Sequence, residues 1–116
     1  MAYDEQNVFA KILRGEIPSD RVYEDERCIA FRDVHPVAPV HVLVIPRDPL
    51  ENLGASEDSQ TELLGHLMRV AAKVAELEGI RDAFRVVTNH GADAGQSVFH
   101  LHLHVLGGRD LGWPPG

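Results

Sequence analysis

Apolar positions along the 116-residue chain change their period several times, and each change marks an element. Val8, Phe9, Ile12 and Leu13 repeat at helical spacing, with Asn7 placed to cap the turn and Gly15 to end it. A turn at Ile17-Pro18-Ser19 follows. Residues 21–24 and 27–32 alternate as two strands joined by the charged Asp25-Glu26 turn. In the second of them Ile29, Phe31 and Asp33 share one face and Cys28 and Ala30 the other, so Cys28 reads as a small buried hydrophobe. The two prolines of 34–39 cannot donate into a ladder and predict a crossing loop. Residues 41–45 are apolar on both faces, as a central strand is, and His41 heads them in phase with Leu43 and Ile45. Pro46 and Pro49 close that strand.

One long amphipathic helix is predicted from Ser56 or Ser59 to Glu78, carried by Leu63, Leu64, Leu67, Val70, Ala71, Val74 and Leu77. Ser59 with Glu62 makes a capping box, and Gly79 stops the helix. His66 lies beside the apolar stripe and reads as structural. Residues 83–89 form a fourth strand that ends in the glycine-bearing loop Asn89-His90-Gly91-Ala92-Asp93-Ala94-Gly95-Gln96-Ser97. The tail Gly112-Trp113-Pro114-Pro115-Gly116 suits neither a helix nor a central strand, and its Trp113 needs a surface to pack on.

The fifth strand holds the unusual pattern. His100, His102 and His104 alternate with Leu101, Leu103 and Val105 after Phe99, so the imidazoles share one face and the apolar set packs the other. Three of the seven histidines thus fall within five residues, which a single satisfied core histidine does not account for. Imidazole serves both as a metal ligand and as a group that titrates near neutrality. The run itself carries no Asp, Glu or Cys to complete a carboxylate or thiolate metal site, whereas Gly95, Gln96 and Ser97 offer amide, hydroxyl and N–H groups suited to a phosphate. Phosphate-directed nucleophilic catalysis is therefore favoured over metal binding.

Composition narrows the partners. With 11 Lys+Arg against 18 Asp+Glu the net charge is -7, which argues against broad nucleic-acid or anionic-membrane binding but not against one phosphate in a local pocket. The single cysteine permits no internal disulfide, no apolar run approaches a membrane span, and the polar start lacks the pattern of a secretory signal. These features point to one domain over 1–116 and to a cytoplasmic location.

The segment His100-Leu101-His102-Leu103-His104-Val105-Leu106 resembles the signature of the histidine triad family, His-x-His-x-His with apolar residues between. Phe9-Ala10-Lys11-Ile12, Glu16-Ile17-Pro18, Ala30-Phe31-Arg32-Asp33, Leu43-Val44-Ile45-Pro46, Leu64-Gly65-His66-Leu67-Met68 and Gly95-Gln96-Ser97-Val98 follow the family's order. The ending Val105-Leu106-Gly107-Gly108-Arg109, then Trp113-Pro114-Pro115-Gly116, is similar to the Hint branch. The resemblance implies an α+β fold: a five-stranded antiparallel sheet with one long and one short helix, two such sheets joining across a homodimer. It further implies hydrolysis of purine nucleoside 5′-phosphoramidates, such as adenosine 5′-phosphoramidate and lysyl-AMP adducts, with AMP or GMP as product and neither metal nor cofactor. By matching position His102 is the nucleophile and His100, His104 and His41 form an imidazole network; the amine must leave protonated, and His104 and Ser97 are the candidate acids, Ser97 placing the bridging atom. Asn89, Gly95, Gln96 and Ser97 hold the phosphate, while Phe31, Asp33, Val34, Phe9 and Ile12 line the base and ribose, and Trp113 reaches the partner's substrate entrance. Gly112 and His90 depart from the family's commoner residues, a change expected to act on leaving-group preference. Two other readings stand beside hydrolysis: a purine nucleotide-binding regulatory or scaffold protein with slow turnover, and a zinc-binding domain.

Overall fold

The computed structural model describes residues 2–116. Five strands form one antiparallel sheet: β1 (Arg21–Glu24), β2 (Cys28–Arg32), β3 (Val40–Pro46), β4 (Phe84–Val87) and β5 (Leu103–Gly107), in the order β1-β2-β3-β5-β4. The sheet has two different faces. The 17-residue α2 (Thr61–Leu77) lays Leu63, Leu67, Val70, Ala71 and Val74 on one of them, against Cys28, Ala30, Val42, Val44, Leu101, Leu103 and Val105. On the opposite face the six-residue α1 (Val8–Leu13) brings Phe9 and Ile12 against Ile29, Phe31, Leu43 and Ile45. The period-2 division expected for β2 and β3 therefore holds, and the α+β architecture is the one the resemblance implies. The Asn7 side chain caps α1 by accepting from the Ala10 N–H at 2.9 Å.

Two expectations change. The long helix starts at Thr61 and not at Ser56 or Ser59: single 3-10 turns occupy Leu53–Ala55 and Asp58–Gln60, and the capping box is made by Glu57 and Gln60 in place of Ser59 and Glu62. The histidine strand begins only at Leu103, because the Leu101 N–H donates to the Leu50 carbonyl of the loop after β3, at 2.6 Å, and not to a neighbouring strand. Phe99 accordingly stays half-buried at the surface while Leu101, Leu103 and Val105 enter the core. Trp113 leaves the core of its own chain: 82% of its surface is exposed, and its ring lies beside the Arg85 guanidinium, 5.9 Å from the centroid.

Candidate active site

Register builds the site. In the β3–β5 pair Leu43 stands opposite His104 and His41 opposite Leu106, so His41 and His104 are diagonal neighbours on the α1 face. Their rings join through His41 Nε2 and His104 Nδ1, 2.9 Å apart. His102, one residue before β5, turns its ring to the same face, with centroids 5.0 Å from His104 and 4.9 Å from Phe9 of α1. Phe9 meets Phe31 edge-on at 5.6 Å. Between α1, the end of β2 and the 97–98 turn lies a cleft of about 340 Å³, whose walls include Phe9, Ile12, Phe31, Asp33, Val34, Ser97, Val98, His102 and His104.

Hydrogen bonds to main-chain groups decide where each imidazole proton sits. His102 Nδ1 lies 2.7 Å from the His100 carbonyl, which only accepts, so Nδ1 carries the proton and Nε2 presents a lone pair. His100 Nε2 donates in the same way to the Pro46 carbonyl at 2.8 Å. His41 Nδ1 accepts from the Val37 N–H at 3.1 Å, which leaves the proton on His41 Nε2, aimed at His104 Nδ1 with Asp33 Oδ2 at 3.4 Å. A neutral His104 then carries its own proton on Nε2.

Burial keeps these rings neutral. It lowers the pKa of His41, with Asp33 opposing, and of His100 and His102, where the Pro46 and His100 carbonyls oppose it. For His104, burial followed by the neighbouring His102 and His41 brings the value down to about 4. At neutral pH the site thus offers one unprotonated ring nitrogen that no described residue engages, His102 Nε2, in a cleft largely apolar in its lining.

The expected phosphate loop comes together only in part. Gly95 takes φ +100°, a conformation that glycine adopts without Cβ strain, and its N–H donates to Ala92. Gln96 is buried and consumed internally: its Nε2 donates to the Glu51 and Val98 carbonyls, its Oε1 accepts from Gly91 N–H and Asn52 Nδ2, and its own N–H bonds the Gly91 carbonyl. Gly95 and Gln96 therefore shape the loop, with their N–H groups engaged, and Asn89 sits against Gly95 outside the cleft lining. Ser97 is exposed, lines the cleft, and its hydroxyl bonds no other described residue. His41 and His100 stand behind the lining residues, and Trp113 is not brought to this cleft. Sequence reading missed Ile17, Pro18, Ser19, His35 and Leu43 in the walls. Of these Leu43 was legible from its phase with His41, whereas the turn at 17–19 arrives only through the fold. The donors and acceptors that orient the rings, Val37 N–H, Pro46 C=O and Tyr3 OH, carry no sequence signal, two of them being backbone.

Comparison with known proteins bears on the family and the fold. Residues 14–111 match the HIT domain. An uncharacterized HIT-like protein of Synechocystis is 57% identical over 112 residues, covering 97% of this chain and 98% of its own. A protein of Zea mays named 14 kDa zinc-binding protein is 50% identical over 115 residues, with 97% and 90% covered. Among solved structures, a HIT family hydrolase from Legionella pneumophila superposes with a TM-score of 0.93 at 43% identity, covering 96% of this chain and all of that one. A histidine triad protein from Clostridium difficile gives 0.88 at 42%, with 96% and 97% covered. Domain match, near full-length identity and a shared backbone coincide, and the chain belongs to the HIT domain family.

Proposed function

We propose that this protein hydrolyses purine nucleoside 5′-phosphoramidates through a nucleotidyl-histidine intermediate on His102. One observation carries the reading: His102 holds its proton on Nδ1, against the His100 carbonyl, and so directs an unprotonated Nε2 into the cleft. Attack by Nε2 forms an N–P bond while the P–N bond to the amine breaks, and the His100 carbonyl meets the charge that grows on the ring. The departing nitrogen must gain a proton. His104 Nε2–H and the Ser97 hydroxyl are the donors that line the cleft, and His41 Nε2–H supports His104 from behind. Water then hydrolyses the phosphohistidine. Phe9, Ile12, Phe31 and Val34 form an apolar slot for a base, with Asp33 at its edge able to accept from ribose hydroxyls. The likeness to HIT family hydrolases supports hydrolysis as the reaction class. The Hint-like ending, the homodimer and the approach of Trp113 to a partner's site extend the same reading. They are favoured by the exposure of that aromatic at 82%. Among the described residues no helix is long and apolar enough to cross a membrane.

Zinc binding is a second reading, favoured by the maize relative's name and by the grouping of Asp33, His41 and His104, whose ligand atoms lie within 4.8 Å of one another. The Val37 N–H on His41 Nδ1 weighs against it: His41 must keep a proton on Nε2, the atom a metal would need. Incubation with adenosine 5′-phosphoramidate in EDTA separates the readings. Turnover, with mass-spectrometric trapping of an acid-labile nucleotidyl adduct on His102, is the expected result. AMP binding without turnover would favour a scaffold, and activity lost with the removal of stoichiometric zinc would favour the metal.

A further inference from the structure

A hydrogen-bonded line runs to the nucleophile from the N-terminal segment, ahead of the span that matches the HIT domain. The Tyr3 ring meets the His100 ring edge-on, with centroids 5.7 Å apart, and its hydroxyl lies 2.5 Å from His100 Nδ1. The far nitrogen of that ring, Nε2, faces the Pro46 carbonyl at 2.8 Å and must carry the proton. His100 is wholly buried and held neutral by burial, so its Nδ1 is a lone pair into which the Tyr3 hydroxyl donates. The carbonyl of this same residue receives His102 Nδ1–H, and its direction sets the aim of His102 Nε2. Both ring nitrogens of His100 are thereby satisfied, one on each side, and the ring has one orientation and one tautomer.

The segment that brings Tyr3 there is itself tied down. The Asp4 carbonyl accepts from the Asn7 side-chain amide at 2.7 Å and from the Asn7 N–H at 3.2 Å. The Glu5 carbonyl accepts from Arg14 at 2.8 Å. Asn7 in turn caps α1, the helix whose Phe9 packs on His102. A packing role alone would need the Tyr3 ring but not its hydroxyl, yet the hydroxyl is placed on the one lone pair of the neutral His100 ring.

We propose that Tyr3 is a positioning residue for His102: by donating to His100 Nδ1 it locks the His100 tautomer and with it the carbonyl that orients the nucleophile. This rests on the assignment of His102 as nucleophile. Without the hydroxyl, a buried Nδ1 is left unpaired, and His100 regains the choice of turning its proton away from Pro46. Small errors in the aim of a nucleophile are expensive because attack needs near in-line geometry.

The test compares the full-length chain with Tyr3→Phe, which keeps the ring and removes only the donor, and with Tyr3→Ala, which removes both. Adenosine 5′-phosphoramidate kinetics, AMP affinity, melting temperature and imidazole ¹⁵N spectra are read for each. For Tyr3→Phe we expect kcat to fall about tenfold, with KM and AMP affinity within twofold of the parent. The ¹⁵N resonances of His100 and His102 should shift together. A kcat within twofold of the parent overturns the proposal. So does a loss for Tyr3→Phe that tracks equal losses in AMP affinity and melting temperature, the mark of a structural cover. If the parent protein fails to turn over the phosphoramidate, the functional reading fails by itself. The spectra still decide on Tyr3: unshifted His102 resonances in Tyr3→Phe would refute the positioning role, and shifted ones support it.

Discussion

The two faces of the sheet each carry a histidine grouped with an aspartate, and the groups differ in what is left open. On the α2 side His66 Nε2 donates to Asp25 Oδ2 at 2.7 Å. The same carboxylate accepts from the Tyr23 hydroxyl at 2.9 Å and from the N–H groups of Arg27 and Cys28 at 2.8 and 2.9 Å. Burial would raise the Asp25 pKa, but the Arg27 N–H, His66, Tyr23 and the Cys28 N–H outweigh it and hold the carboxyl well below its usual range. Cys28 beside it is pushed up to about 12, first by burial and then by Asp25, so it stays a thiol. Every partner in that group is spoken for. On the α1 side Asp33, His41 and His104 form a similar chain, but next to it His102 Nε2 faces a cleft with no partner among the described residues. The same residue types tie down a turn on one face and leave an unengaged lone pair on the other. Saturation of hydrogen bonds, more than residue identity, separates the structural histidine from the proposed nucleophile.

Substitutions at the two groups should therefore fail in different ways. His102→Ala removes the covalent step and is expected to cost about 4–8 kcal/mol of transition-state stabilisation, seen as a loss of at least a thousandfold in kcat. Its AMP binding and melting temperature should stay near those of the parent. Retention of more than a tenth of kcat would move the nucleophile elsewhere. Asp25→Ala should show the reverse: four donors lose their acceptor, and urea unfolding should register a loss of about 2–3 kcal/mol. Its kcat per folded molecule should be unchanged, and a large drop in kcat without instability would erase the contrast between the faces.

Deletion of 112–116 tests the proposed approach of Trp113 to a partner's cleft. If Trp113 acts at a partner's cleft, kcat/KM should change unevenly among amine leaving groups, by about 1–3 kcal/mol in selectivity, while AMP affinity holds. Uniform losses paralleled by weaker AMP binding would instead make the tail a structural element.

The smallest effect follows from pH. His41, His100, His102 and His104 all have folded pKa values below the ordinary 6.5. Above pH 6.5 they are neutral whether folded or unfolded and cost nothing. As pH falls below it, the unfolded chain binds protons first, and stability is lost through a window that ends near the His104 value of about 4. Melting temperature should be level from pH 8 to 7 and lower by about 2–5 °C near pH 6. Asp25 adds its own loss only below its ordinary 3.8. A melting temperature that rises on acidification through this range would show that the imidazoles are held charged, contrary to their burial.

Much of this architecture was legible because it depends on period. Alternation alone assigned Ile29 and Phe31 to one face and Cys28 and Ala30 to the other, and the three- and four-residue steps from Leu63 to Val74 defined the buried stripe of α2. The histidines at 100, 102 and 104 declared a shared face, and they keep it although the strand starts only at Leu103. What periodicity left open were contacts between segments distant along the chain and contacts made by backbone atoms. Loop 89–97 looked like an anion cradle by composition, but whether an N–H is free depends on which carbonyl the fold places opposite it, and Gly91 and Ala92 claim those of Gln96 and Gly95. The pairing of His41 with His104 required the β3–β5 register, and the proton positions required the carbonyls of Pro46 and His100 and the N–H of Val37. Side-chain chemistry and its face are written in the chain because they follow from residue type and spacing. Which nitrogen holds a proton, and which lone pair is left empty, is decided only by tertiary structure, since hydrogen-bond partners are set by position in space.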